Sequence, residues 1–406
     1  MAVVHERAPR LRLRITAAAE RSLAAGHPWL FAESILEQNR PGRLGELAIL
    51  YDRKDRFLAA GLFDPHSPIR FRVLQLGDPK LIDADWWRRR LQSALERREG
   101  LFDSQTTGFR WINGESDGWP ALVLDRYDRT LVLKLYSGIW LPRIEEVVNL
   151  IQETLRPVRV VLRLSRNVQT GARQDYALEN GIVLRGAAPV GPAPFYETGL
   201  CFEADVLQGQ KTGFFLDQRE NRRAIERLAS GRTVLNAFSF SGGFSLYAAR
   251  GGARQVTDLD ISSHALTAAK RNFRLNRALP VMKSCVHIAI QADAFEWLGK
   301  NKRDRFGLII LDPPSFAKRQ SERAGAIRAY QRLTSLAAQH LSQGGILLAC
   351  SCSAHVSADE FFEAVGRGVR GARRRFELLQ TTTHAPDHPA TFPEARYLKA
   401  VYLRVN

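Results

Sequence analysis

Apolar and polar positions follow three different patterns along the chain. From about residue 11 to 76 the apolar residues come in short runs, Leu11-Arg-Leu-Arg-Ile15, Leu47-Ala-Ile-Leu50 and Phe71-Arg-Val-Leu-Gln-Leu76, separated by Gly/Pro turns such as Gly26-His-Pro28. Short strands between such turns predict a small, mostly β, barrel-like domain. Trp86-Trp-Arg-Arg-Arg90 then opens an amphipathic helix that runs to about Glu99. Strand-like runs follow at Ala121–Leu124, Thr130–Leu135 and Val158–Arg163, with a helical period from Arg143 to Leu155 between the last two. That order predicts an α+β sheet with helices on one face.

The run Gly186-Ala-Ala-Pro-Val-Gly-Pro-Ala-Pro194 deters regular structure, since five of its nine residues are Gly or Pro. After it the pattern changes to strands alternating with helices. Strands are expected at Thr233–Asn236, Gln255–Asp260, Cys285–Ala289, Leu308–Leu311 and Ile346–Cys350, with helices such as Ser263–Asn276 in the gaps. Alternation of this kind implies a parallel sheet with right-handed crossovers. Two final strands, Phe376–Gln380 and Tyr397–Arg404, bring the total to seven. The expected fold is therefore α/β, divided at 1–78, 79–190 and 191–406.

Composition adds a partner to this picture. Hydrophobic content of 45% and charged content of 25% are those of an ordinary globular protein. No stretch approaches the ~20 apolar residues of a membrane span. The opening Met1-Ala-Val-Val-His-Glu-Arg7 lacks the apolar core of a signal peptide, so the cytoplasm is expected. Four cysteines (Cys201, Cys285, Cys350, Cys352) form no CxxC pair, so neither a disulfide framework nor a structural zinc is expected. The net charge is +17, carried by 59 cationic residues of which ten are Lys. Such an excess favours a polyanion, and nucleic acid is the expected partner.

The candidate chemistry lies at strand ends, where open parallel sheets bind their ligands. Asn236-Ala-Phe-Ser-Phe-Ser-Gly242-Gly243-Phe-Ser245 joins a strand to a helix, and its two glycines let a ligand approach the backbone. Neither GxGxxG nor GxxxxGK[ST] occurs there, which argues against a dinucleotide or a nucleoside triphosphate. Asp260, at the end of the next strand, is placed for a ribose diol, and Asp293, after the third, for an adenine edge. A glycine turn with two spaced acids fits an adenosyl ligand without phosphates, and S-adenosylmethionine is the obvious one. Two further strands end in Asp312-Pro-Pro and Ser351-Cys352-Ser353. C5 of cytosine becomes nucleophilic only after a thiolate adds at C6, and a hydrogen-bonding group must then serve the N3/N4 side of the ring. Cys352 and Asp312 suit those roles, whereas Cys350 is read as packing.

Taken together, the chain resembles the bacterial 23S ribosomal RNA (cytosine-C5) methyltransferase family that carries an N-terminal PUA domain. The matching residues are Gly26-His-Pro-Trp-Leu-Phe31, Asn113 to Pro120 with Asp125-Arg-Tyr127, Lys211-Thr-Gly-Phe-Phe-Leu-Asp217-Gln-Arg219, Asn236 to Phe244, Asp312-Pro-Pro-Ser-Phe316 and Ser351-Cys-Ser353. The resemblance implies a PUA-like RNA-binding domain, a central α+β domain of RNA methyltransferase type and a Rossmann-like methyltransferase domain. It implies S-adenosylmethionine as donor and a single-stranded or flipped cytosine of 23S ribosomal RNA as acceptor. By position, Cys352 matches the nucleophile, and Asn236, Phe238, Gly242, Gly243, Asp260, Asp293 and Asp312 match the cofactor crevice. Arg219 matches a position from which it would pair with the carboxylate of the cofactor's methionine end, the alternative being an internal ion pair. Pro314 stands where many such enzymes have a second cysteine, so His355, Asp312 or a water is left to take the C5 proton. Two alternatives remain: methylation of a base amine, suggested by Asp312-Pro-Pro but weakened by Ser315 where an aromatic should be, and a non-catalytic RNA-binding assembly factor. His27 and Trp29 are read either as RNA-stacking rings or as a turn closing a small core. Asp387-His388-Pro389 is read either as part of the crevice mouth or as a surface turn. Oligomeric state is left open, with a homodimer among the options.

Overall fold

The computed structural model describes residues 9–301 and 303–406. The Met1–Arg7 segment, on which the expectation of no signal peptide rests, lies outside the described residues. The chain forms two compact units. One holds the residues up to Ala193 together with Ala204–Phe214, and the other holds Pro194–Glu203 with Phe215–Asn406. Among the described residues no helix is long and apolar enough to cross a membrane.

The first unit contains two sheets. Six strands, among them Leu11–Ile15, Trp29–Phe31, Leu47–Tyr51, Phe57–Phe63 and Ile69–Leu76, form one sheet. Leu11, Leu13 and Ile15 are buried while Arg12 and Arg14 between them are exposed, as strict alternation on a strand requires. A five-stranded sheet follows, with Leu122–Tyr127, Thr130–Leu135 and Arg159–Leu164 at its centre. The helix Ala84–Glu96 begins where the Asp83 side chain accepts from the Trp86 backbone N–H. The tract that opens this amphipathic helix turns both tryptophans inward: Trp86 and Trp87 are buried, and Trp87 lies 4.9 Å from Trp119 and 5.2 Å from Trp140, ring centre to ring centre. Trp29 is likewise occupied. Its indole N–H donates to Glu115 at 2.8 Å, Arg72 donates to the same oxygen at 2.8 Å, and His27 stands edge-on to the Trp29 ring. These contacts support the reading of His27 and Trp29 as a structural turn.

Residues 186–192 carry neither helix nor strand, but the expected linker ends early, because Ala193 and Pro194 open the strand Ala193–Glu197. This strand pairs with Leu200–Ala204 in a hairpin that the sequence patterns did not reveal.

The second unit is built on seven strands: β1 (Thr233–Ala237), β2 (Gln255–Asp260), β3 (Val286–Gln291), β4 (Phe306–Leu311), β5 (Leu341–Ser351), β6 (Phe376–Thr382) and β7 (Lys399–Val405). Their spatial order is 3-2-1-4-5-7-6. All are parallel except β7, which runs antiparallel to β5 and β6. The expected α/β, Rossmann-like domain is thus present. The order reverses between β1 and β4, and there the chain leaves in opposite directions and opens a crevice at the carboxyl ends. The connecting helices are α1 (Arg219–Leu228), α2 (Gly243–Arg250), α3 (Ser263–Leu275), α4 (Ala294–Lys300), α5 (Arg323–Gln339) and α6 (Ala358–Gly371). β4 reads Phe-Gly-Leu-Ile-Ile-Leu because it is covered on both faces; Leu308, Ile309 and Ile310 expose no surface.

α5 and α6 approach closely at Gly368, where an added Cβ would sit 2.5 Å from the Gln331 carbonyl and 2.7 Å from Thr334 Cβ. Gly368→Ala therefore forces the helices apart and is expected to cost about 1–3 kcal/mol, measured as a lowered urea midpoint with an unchanged slope.

Candidate active site

β4 and β5 pair in parallel with Leu311 beside Ala349. One step further places Asp312 beside Cys350, and side chains two apart on a strand share a face, which puts Cys352 on that side as well. The flanking serines fix this orientation. Ser351 Oγ donates to the Tyr330 hydroxyl at 2.9 Å, and that hydroxyl lies 3.0 Å from Ser353 Oγ. Ser353 Oγ in turn lies 2.9 Å from Ser315 Oγ, which donates to the Ala317 carbonyl at 2.9 Å. This chain of hydroxyls ties the loop after β4 to the loop after β5. With Ser351 and Ser353 turned toward Tyr330 of α5, Cys352 is left half-buried while Cys350 is buried.

Asp312 accepts from Gln218 Nε2 at 3.0 Å, and Gln218 is held by Asn221 at 2.6 Å. Burial and then the nearby Asp217 push the Asp312 carboxyl up to about 7, against the opposing pull of the Gln218 hydrogen bond and Arg222. Two carboxyls in one dry corner cannot both ionise cheaply, so a proton resides there near neutral pH. Burial, and then the Asp312 charge, push the Cys350 thiol well up, which suits its reading as a neutral packing group.

The loop after β1 is strained. Phe238 and Phe240 both have left-handed φ (61° and 47°), as does Gly242 (75°), where a Cβ would meet Ala269 at 3.0 Å. Phe238 N–H donates to the Leu259 carbonyl at 2.8 Å, and the Phe238 ring packs beside the core. Gly243 opens α2. Asp260 holds the loop in place: one carboxylate oxygen accepts from Phe240 N–H at 2.9 Å and the other from Ser262 N–H at 2.8 Å. A carboxylate has about four acceptor sites, so this fixed Asp260 still has capacity for a diol. Asp293 accepts from Glu296 N–H at 2.9 Å and so caps α4 with one oxygen. Ser239 Oγ and Ser241 Oγ are buried in the same loop and have no hydrogen-bond partner among the described residues. Buried hydroxyls of this kind call for a polar ligand. The loop, its two orphan hydroxyls and Asp260 therefore fit an adenosyl group.

The side chains of Asn236 and Arg219, two of the expected cofactor contacts, are both engaged by other protein groups. Asn236 is fully buried, and its Nδ2 donates to Ser245 Oγ at 2.9 Å and Asp258 Oδ1 at 3.2 Å. Its side chain supports the loop from beneath, in a network that continues from Asp258 to His287 at 2.7 Å. Arg219 is spent on an internal pair, with Nη1 and Nη2 donating to the two oxygens of Asp387 at 3.0 and 2.9 Å. Arg222 makes the same kind of fork to the buried Glu197, at 2.7 and 2.6 Å. Asp387 and His388 are thus buried members of an ion cluster rather than a surface turn. Burial alone would push the Asp387 carboxyl up, but His388 and Arg219 hold it well below its ordinary range. Sequence reasoning missed Asp258, Gln218, Tyr330 and Lys399. The one available signal was a charged residue inside an otherwise apolar strand, as at Asp258 and Lys399.

Residues 167–404 match the family model of the S-adenosylmethionine-dependent methyltransferases, and residues 13–76 match that of a PUA-like domain. A ribosomal RNA large subunit methyltransferase from Deinococcus radiodurans is 55% identical over 98% of both chains. Ribosomal RNA large subunit methyltransferase I from Photobacterium profundum is 36% identical, covering 94% of this chain and 96% of its own. Among solved structures, a Streptococcus mutans chain described as a SAM-dependent methyltransferase shares the fold with a TM-score of 0.81 at 20% identity, covering 97% of this chain and 99% of its own. A methyltransferase complexed with SAH gives 0.82 at 21% identity over the same shares.

Asp387→Asn leaves the buried Arg219 without its forked anion and is expected to cost about 3–5 kcal/mol at neutral pH, read by denaturant unfolding. Because the folded Asp387 value lies below the unfolded one, this stability is present above about pH 4 and fades as pH falls further. The gap between wild type and variant should narrow in acid.

Proposed function

Because this chain belongs to the S-adenosylmethionine-dependent methyltransferases, within the family of the ribosomal RNA large subunit methyltransferases, we propose that it methylates C5 of a cytosine in 23S ribosomal RNA through a covalent Cys352 adduct. The observation that carries this reading is the half-buried Cys352 thiol at the end of β5, on the same sheet edge as an Asp312 carboxyl pushed up to about 7.

S-adenosylmethionine, when bound, supplies an electrophilic methyl group on sulfonium. Asp260 would accept from the ribose hydroxyls and Asp293 from the adenine amine. Phe238, Gly242, Gly243 and the Ser239 and Ser241 hydroxyls would line the rest. Asn236 and Arg219 brace this wall from behind. On the acceptor side the Cys352 thiolate forms a bond to C6. The C5=C6 π pair shifts to C4=C5, the C4=N3 π pair moves onto N3, and N3 takes up the proton that Asp312 holds. C5 is then electron-rich and can accept the methyl. Loss of the C5 proton and cleavage of the sulfur–C6 bond restore the ring. The target base must leave its stack to reach a crevice at strand ends. The net charge of +17 supports phosphate contacts. The PUA-like residues 1–78 and the central residues 79–190 would grip the RNA, with 191–406 carrying the reaction, in a cytoplasmic enzyme.

Cys352→Ala should lower methylation of large-subunit RNA by at least about 10³-fold while equilibrium dialysis still finds S-adenosylmethionine bound. Mass-spectrometric mapping should find 5-methylcytosine lost from the RNA of cells without the protein. An N-methylated base in its place, or turnover by Cys352→Ala at the wild-type rate, overturns the reading. The Asp312 proton is needed, so kcat/KM should fall above about pH 7 in the wild type. In Asp312→Asn that alkaline limb should vanish from the pH profile.

A further inference from the structure

Lys399 opens β7 directly opposite Ser351 of β5. It is 4% exposed, unusual for an ammonium group. Its Nζ donates to the Ser353 carbonyl at 2.6 Å and to the Val356 carbonyl at 2.5 Å. These two carbonyls bracket the turn that follows Cys352, so one side chain pins the segment that carries the thiol. α6 begins immediately afterwards at its Ser357/Glu360 capping box, which leaves the turn little slack.

A buried ammonium bonded to carbonyls is solvated but not neutralised, and buried charge is costly without a counter-charge. Burial pushes Lys399 down to about 8, and negative charge at Cys352 pulls it back up. Titratable groups near Cys352 include Tyr330 from α5 and Cys350 from its own strand, both of which feel the Cys352 charge, with Asp312 and Asp217 acting on Cys350. Burial raises Tyr330 and Cys350, which keeps both neutral at physiological pH. Asp217, and Asp312 once it has given up its proton, act on Cys350 and bring negative charge to this sheet edge, which opposes a thiolate. Among these groups Lys399 is the cation, and its charge and that of Cys352 act on one another.

We propose that Lys399 is a positioning residue for Cys352: it fixes the turn after the thiol and supplies the positive charge that favours the thiolate. The thiol proton leaves to solvent. Lys399 keeps its own proton throughout and is not a base. The inference rests on Cys352 being the nucleophile, but its test reads the sulfur itself.

The full-length protein is treated with iodoacetamide from pH 6 to 10, and the alkylation of each cysteine is followed by peptide mass spectrometry. Cys350, buried and neutral, serves as the folding control, and Cys285, which burial pushes up to about 11, as a reference thiol. In Lys399→Met the midpoint of Cys352 alkylation should rise by about one pH unit, a roughly tenfold slower reaction at pH 7. Lys399→Arg, which keeps the charge, should stay near wild type. Cys285 should not move in either variant. Should Lys399→Met unmask Cys350, Lys399→Gln, which keeps hydrogen bonds to the carbonyls but not the charge, takes its place and should show the same rise. An unshifted Cys352 profile in a charge-removing variant with Cys350 still protected overturns the proposal. Wild-type methylation by Cys352→Ala instead overturns the nucleophile reading and leaves the alkylation result standing, so the two failures are distinguishable.

Discussion

The parallel pairing of β4 with β5, Leu311 against Ala349, is the constraint on which the candidate chemistry depends. Parallel strands deliver their carboxyl ends to a single edge, so an acid that ends one and a thiol that ends its neighbour meet without any loop having to reach. The hydroxyl chain from Ser351 through Tyr330 and Ser353 to Ser315 then removes the remaining freedom of the two exits. A thiol that acts as proposed, forming and breaking a bond to a ring, would need such fixing, because small misplacements cost rate steeply. The backbone supplies the neighbourhood, and the neutral hydroxyls supply the aim.

Around that edge the unit uses charge in two ways. The Arg219–Asp387 and Arg222–Glu197 forks are closed pairs, each guanidinium matched by a buried carboxylate, and they serve the fold. Asp312 and Lys399 are open by comparison. One is hydrogen-bonded by an amide and the other by carbonyls, and burial pushes both toward neutrality. Groups shifted in this way without a matched partner are where proton chemistry concentrates. This contrast separates the matched pairs that hold the fold from the two groups to which the proposal gives a part in the reaction.

Most of the second unit's architecture was legible in the sequence. Gln255–Asp260 was read to the residue, and Thr233, Phe376 and the α/β alternation were placed correctly, because short strand runs bounded by turns alternate with helical periods. The hairpin at Ala193–Ala204 was hidden because its first strand begins inside a Pro/Gly-rich run. Candidate site residues stood out where a motif ends a strand, as at Asp260, Asp312 and Cys352, and the structure places each of these at a carboxyl end of the sheet. For Asn236 and Arg219 the motif left the direction of the side chain open, for one reason. A polar residue in a motif is compatible with facing either the ligand or the wall behind it, and only the distant Asp258 and Asp387 decide which. Trp29 followed the same rule, its ring claimed by Glu115, 86 residues away.

The division of the chain between its two units carries a consequence for dissection. The polypeptide changes unit three times, after Ala193, after Glu203 and after Phe214. Thr212 and Phe214, which lie past the proline-rich run, are bonded to Asp125 and Tyr127 of the earlier unit. A catalytic fragment expressed from residue 191 onward would strip these buried groups of their partners, while the complementary fragment would lose the segment that satisfies Tyr127. The two halves are thus interleaved in sequence, and neither can be harvested cleanly with a single cut.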